Sequence, residues 1–152
     1  MGLGSNVGDR VKNLNEAIAT LRSDRDMHVL SVSPFYETDA EGAPQAAFIN
    51  GGVLVLTSLP ATELLARMLA TEQKLGRVRS PDTAKGPRTI DLDLLWIEGE
   101  FVEEADLRVP HARLRDRAFA VRPLLDLAPD ARDEQGAAYA DCAVAKIALK
   151  KI

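Results

Sequence analysis

Cysteine occurs once in the 152 residues, at Cys142, so no disulfide can form within the chain and a reducing compartment is expected. Histidine is nearly as scarce, with only His28 and His111, and neither CxxC nor HExxH occurs, which removes the usual zinc arrangements. No Ser-His-Asp order suggests a hydrolase triad. Positive charge is not in excess: the formal charge is -4 and the pI about 5.2, which argues against nucleic-acid binding through a general basic field. No apolar run approaches the ~20 residues of a membrane span, and the first residues lack a basic-then-apolar leader, so a cytoplasmic protein without membrane attachment is expected. Repeats, low-complexity stretches and a dividing linker are also missing, and one domain over 1–152 follows. Aromatics make up only 5% of the chain, so each of them stands out.

The charge that is present is unevenly placed. Eight of the thirteen arginines lie between Arg77 and Arg122. Guanidinium groups grip phosphate in bidentate fashion, and a cluster of them points to an oxyanion ligand. Within that half lies GPRTIDLDLLW, residues 86–96. Alternation along a strand would put Asp91 and Asp93 on one face, about 7 Å apart at Cα, and Ile90, Leu92, Leu94 and Trp96 on the other. Two carboxylates so close, at the end of an apolar run, repel each other and lose hydration unless a cation or strong donors meet them. An oxygen-only pair suits Mg²⁺, which completes its octahedron with water and substrate phosphate. The alternative is a strand edge whose acids face solvent or pair with Arg88. The preceding loop, RVRSPDTAKGPR, brings Arg77, Arg79, Lys85 and Arg88 to the same edge. Acids holding a metal, the metal holding phosphate and arginines taking the remaining charge form a set suited to a metal-nucleotide.

Periodicity places the rest. MGLGSNVGD reads as a strand end turning into a helix, and its glycines match neither the P-loop nor the GxGxxG spacing. Leu14, Ala17, Ile18 and Leu21 predict a helix over 13–21. Strands are expected over 27–36 and 48–57, separated by a loop at 39–47. A helix should start at Pro60 with Ser58 as a possible cap, carry Leu64, Leu65, Met68, Leu69 and Leu75, and stop at Gly76. With the 86–96 strand the order is βαββαβ, an α+β fold with a ferredoxin-like core, an antiparallel sheet and helices on one face. C-terminal additions follow: a short helical or extended segment at 121–127 and a helix within 138–149. Phe48 and Asn50 share a strand face, and an aromatic beside an amide can stack and read a flat heterocycle, although a core position for Phe48 stays open. PHARLRDRAF at 110–119 adds His111, Arg113, Arg115, Arg117 and Phe119.

GLGSN at 2–6, FYET at 35–38, FIN at 48–50, ATEQKLGRVR at 70–79, GPRTIDLDLL at 86–95, VPH at 109–111 and RAF at 117–119 together resemble one family, the 6-hydroxymethyl-7,8-dihydropterin pyrophosphokinases of folate biosynthesis. The resemblance implies transfer of the β,γ-pyrophosphate of ATP to the pterin hydroxymethyl group, with release of AMP. It implies two Mg²⁺ ions held by Asp91 and Asp93, with Arg77 and Arg88 also in the catalytic set. Glu72, Arg79, Arg88, His111 and Arg117 would serve ATP. Thr38, Phe48, Asn50, Asp91 and Phe119 would serve the pterin, the two phenylalanines stacking on it. The partners are then these two small molecules, with no nucleic acid or membrane, and a monomer is expected. Some members place a Trp before GPR where this chain has Lys85. A non-catalytic relative that binds nucleotide without releasing AMP remains an alternative at this point. Nucleic-acid binding on the sheet lacks the paired aromatics it would need.

Overall fold

The computed structural model describes residues 1–42, 44–78 and 86–152. Arg79 and Lys85 therefore lie outside the described residues. The elements are β1 (Gly2–Ser5), α1 (Arg10–Ser23), β2 (Met27–Val32), β3 (Tyr36–Thr38), β4 (Phe48–Thr57), α2 (Ala61–Lys74), β5 (Asp91–Asp93), the hairpin of β6 (Val102–Glu104) and β7 (Leu107–Val109), α3 (Ala118–Leu127) and β8 (Lys150–Lys151). The main sheet runs β5-β1-β4-β3-β8, with β2 also on β4, and its pairings are antiparallel. The expected α+β class with an antiparallel sheet is what the chain forms.

Helix α1 forms where the periodicity puts it, because Leu14, Ala17, Ile18 and Leu21 make one buried stripe and the Asp9 carboxylate accepts the Lys12 N–H at its start. In α2, Pro60 stands at the N-cap with no side-chain cap, so the Ser58 expectation is replaced by a residue whose missing N–H leaves nothing to satisfy. Glu63 in the first turn and Lys74 in the last complement the helix dipole. Gly76 ends the run with φ +87, as expected of a glycine stop.

Three expectations are corrected. The 27–36 strand breaks at Ser33-Pro34-Phe35 into β2 and β3, which both lie along β4; a proline cannot donate to a ladder, and β2 already shifts register between Val29 and Ser31. The 86–96 strand shrinks to β5, three residues long. Leu94 and Leu95 are adjacent and both buried, so alternation stops there, and the chain leaves the sheet. Ile90, Leu92 and Leu94 pack in one core, whereas Leu95 and Trp96 pack in the other with α3. The 138–149 helix is instead two short 3-10 turns, Tyr139–Asp141 and Ala143–Lys146, interrupted by an extended Cys142.

Each face of the sheet is covered differently. Leu3, Ile49, Val53 and Leu92 point to the core made with α1 and α2. Gly4, Phe48, Asn50, Gly52, Asp91 and Asp93 alternate to the opposite face. There α3 packs directly on Gly52, where an added Cβ would stand 3.1 Å from Pro123. Beyond α3, among the described residues, that face stays open as a cavity.

Candidate active site

Register aligns the site before any side chain is considered. Asp91 pairs with Gly4, which pairs with Asn50, and Asp93 pairs with Gly2, which pairs with Gly52. The residue of β1 between Asp91 and Asn50 is therefore a glycine. A Cβ on Gly4 would lie 3.0 Å from Asn50 Oδ1, so the absent side chain is what leaves the acids and the amide facing a common space. MGLGSNVGD was expected to be a strand end turning into a helix; Gly2–Ser5 form a strand paired on both sides before α1, and the period-two glycines were the signal for its central place.

The two acids differ sharply in their surroundings. Asp91 is clamped: Arg77 Nη1 donates to its Oδ1 and Arg88 Nη1 donates to its Oδ2 at 2.8 Å. Arg77 is fixed in turn by Glu72, whose Oε1 accepts from Arg77 Nη1 and from the Leu92 N–H, each at 2.7 Å. The Glu72 side chain is 1% exposed, so it faces Arg77 and β5 behind Asp91. Asp93 has no ion pair among the described residues. Its burial, followed by the charge of Asp91, pushes its carboxyl up to about 6, against the opposing pull of Arg117.

A divalent cation suits this arrangement. It would relieve the desolvated, mutually repelling pair, and a carboxylate has about four acceptor sites, so Asp91 can keep its arginines and share an oxygen. Among the described residues no group of three or more His, Cys, Asp or Glu could form an all-protein cage. The rest of the coordination would come from water and ligand oxygens, the habit of Mg²⁺ rather than of Zn²⁺.

A cavity of about 400 Å³ opens over these acids. Thr38, Phe48, Asn50, Arg88, Asp91, Asp93, Arg117 and Phe119, all named from sequence, line it together. Asn50 is buried and its Nδ2 donates to Thr38 Oγ1 at 2.8 Å. The Arg88 guanidinium lies 5.6 Å from the Phe48 ring centre and Arg117 lies 5.5 Å from that of Phe119, so each aromatic carries a cation at its face. Arg117 Nε is buried with no hydrogen-bond partner among the described residues, an orphan donor at a cavity wall.

His111 does not line the cavity. Its N–H donates to Leu95 O at 2.8 Å and its Nδ1 accepts the Arg113 N–H at 3.1 Å, which leaves the ring proton on Nε2. Burial, then Arg117 and Arg113, lower its pKa, so the ring is a neutral donor at pH 7. Sequence reasoning gave no role to Asn6, which is buried. Its Oδ1 accepts the Arg88 N–H at 2.8 Å, and its Nδ2 donates to Gln45 Oε1 and Ala46 O, joining Arg88 to the segment before Phe48.

Comparison with known proteins gives the same direction. The family model for 7,8-dihydro-6-hydroxymethylpterin-pyrophosphokinase matches residues 1–129. A 2-amino-4-hydroxy-6-hydroxymethyldihydropteridine pyrophosphokinase of Synechocystis is 42% identical over 86% of this chain and 66% of its own length, so the matched region spans about two thirds of that relative. The protein of the same name from Bacillus subtilis is 40% identical over 93% of this chain and 84% of its own. A folic acid synthesis protein of Schizosaccharomyces pombe is 37% identical over 86% of this chain and 18% of its own. With the family model covering most of the chain, and relatives this similar sharing its name, the chain belongs to the 7,8-dihydro-6-hydroxymethylpterin-pyrophosphokinase family.

Proposed function

We propose that the cavity over β5 is the site at which this enzyme moves pyrophosphate from ATP to 6-hydroxymethyl-7,8-dihydropterin, with Asp91 and Asp93 as the ligands of two Mg²⁺ ions. The activity is that of the family, a step of folate biosynthesis that releases the pterin diphosphate and AMP. The observation that carries the assignment of the site is the unequal acid pair, one carboxylate clamped by Arg77 and Arg88 and the other without an ion pair among the described residues, inside a cavity that also holds Phe48, Asn50 and Phe119. Bound Mg²⁺ would neutralise phosphate charge and favour ionisation of the acceptor hydroxyl.

The protein's own groups do the rest. Phe48 and Phe119 stack on the pterin, and Asn50, steadied by Thr38, reads its polar edge. Asp91 faces both the pterin and the metal. Arg88 and Arg117 take phosphate charge, His111 offers Nε2–H to the nucleotide, and Arg79 joins from the basic loop. Arg77 holds the Asp91 carboxylate in its orientation, and Glu72 serves the nucleotide by holding Arg77 in place. The strand order, counting β2 and β3 as one broken strand beside β4, supports a ferredoxin-like core. We read the chain as one domain over 1–152 and as a cytoplasmic monomer.

The test is AMP release from ATP and Mg²⁺ with and without 6-hydroxymethyl-7,8-dihydropterin, on the wild type, Asp91→Ala and Asp93→Ala. Pterin-dependent AMP that falls by at least about 100-fold in both variants is expected, the scale of losing preorganised charge stabilisation. Near-normal release by both variants would sink the assignment, and nucleotide binding without AMP in folded wild type would favour a non-catalytic relative.

A further inference from the structure

Glu41, on the segment between β3 and β4, lines the same cavity. Its Oε2 stands 3.5 Å from Arg113 Nη2 and 3.7 Å from Arg117 Nε. The second distance is too long for a hydrogen bond, and Arg117 Nε remains a buried, unpaired donor with a carboxylate close by. An arginine donor withdrawn from water and left unpaired exchanges a poorly placed partner for a better one readily. The Glu41 side chain is 47% exposed, so releasing it to solvent costs little, whereas Arg117 is 19% exposed and cannot turn to water as easily. Glu41 also adds negative charge to a cavity that already holds Asp91 and Asp93, just where a polyphosphate has to enter.

We propose that Glu41 is a built-in competitor for Arg113 and Arg117, a carboxylate that holds the Asp39–Gly42 segment to the arginines until the phosphates of the nucleotide displace it. The proposal rests on the pyrophosphokinase reading of the cavity and adds to it a residue that acts against binding. Displacement is an ion exchange. Phosphate oxygens pair with the two guanidinium groups, Glu41 moves into solvent, and its segment is freed in the same event. Nucleotide arrival thereby loosens one wall of the space that receives the pterin. The consequence is opposite in sign to the loss of an ordinary contact: removing the Glu41 charge strengthens nucleotide binding.

Calorimetric titration of the full chain with two probes, MgATP and inorganic tripolyphosphate, tests this on the wild type, Glu41→Gln and the remote control Glu16→Gln. Glu41→Gln should bind both probes about three- to fivefold more tightly at low ionic strength, the size expected for freeing half-exposed ion pairs. The gain should shrink as salt rises, and Glu16→Gln should match the wild type. Amide exchange of the Asp39–Gly42 segment should quicken when tripolyphosphate is added to the wild type and already be fast in Glu41→Gln. Equal or weaker binding of both probes by Glu41→Gln, or segment exchange indifferent to the probe, overturns the proposal. Equal MgATP affinity with normal pterin-dependent AMP release would remove the competitor and leave the pyrophosphokinase intact. Tighter tripolyphosphate binding without any AMP release would leave the competitor standing and remove the assigned reaction.

Discussion

Asp91 and Asp93 are two register positions apart on a single strand, yet their physical states differ. Two arginines donate hydrogen bonds to Asp91, while Asp93 is desolvated and faces the Asp91 charge. A carboxyl raised to about 6 in the folded protein, against about 3.9 unfolded, favours the folded state below the unfolded value, and that contribution is lost as pH rises through 6. In chelator-containing buffer, Asp93→Asn should therefore be more stable than the wild type at pH 8, by at most about 3 kcal/mol, and the difference should close toward pH 4. Added Mg²⁺ should stabilise the wild type at pH 8 and leave Asp93→Asn nearly unmoved. Melting curves at the two pH values check this; a variant less stable than the wild type at pH 8 without metal would refute the account of Asp93 as a desolvated acid beside a like charge. The chemistry of DLD was legible from residue types and alternation alone. The asymmetry was not, because it depends on which acid Arg77 and Arg88 reach, and Arg77 is fourteen positions away.

Among the elements, β1 links sequence to site most directly. All four of its residues pair with β4 and three of them, Gly2, Leu3 and Gly4, also pair with β5, so it carries the alignment between the aromatic-amide wall and the acids. Leu3 anchors it in the core under α1 and α2, while Gly4 keeps the cavity floor free of side chain. Gly4→Val should leave the fold intact and raise the KM for the pterin by about tenfold or more, the effect of a side chain displacing Asn50, with a much smaller change in the KM for ATP. Steady-state kinetics with each substrate varied would decide; equal losses for both substrates would mean that β1 supports the site only through stability. Helix α1 was readable from its stripe of Leu14, Ala17, Ile18 and Leu21, since a 3.6-residue period is local information. The ends of β5 were not, since Leu94 and Leu95 are equally apolar and only the two cores decide which of them each will enter.

At the level of the whole molecule, the cavity lies where the sheet, packed on one core, meets α3, packed in the other. Leu95 and Ala120 belong to the second core and also line the cavity, whereas Phe48, Asn50 and the acids come from the sheet. The second core is closed by residues beyond the family match: Tyr139 and Cys142 pack there, and Asp133 pairs with Arg115 at 2.7 Å between His111 and Arg117. A ligand seated in the cavity thus touches both halves of the structure and should stabilise the folded state as a unit. A non-hydrolysable ATP analogue with Mg²⁺ and pterin, each at about 100 times its Kd, should contribute about 2.7 kcal/mol per independent site and raise the Tm by about 5–10 °C or more. Omitting Mg²⁺ should remove most of the nucleotide's share. A shift under about 1 °C with all components present would mean that the cavity is not where they bind.

By itself the sequence determined the α+β class, the helix faces, the paired acids with an arginine-rich surround and the resemblance to a pyrophosphokinase, because composition, periodicity and motif spacing are properties of short stretches. Tertiary structure alone decided that Glu72 stands behind Asp91, that Asn6 ties Arg88 to the segment before Phe48, that glycines of β1 clear the cavity floor, and that Glu41 reaches Arg113 and Arg117. Those relations join residues far apart in the chain. Their distances follow from strand register and from the packing of two cores, which no local pattern encodes.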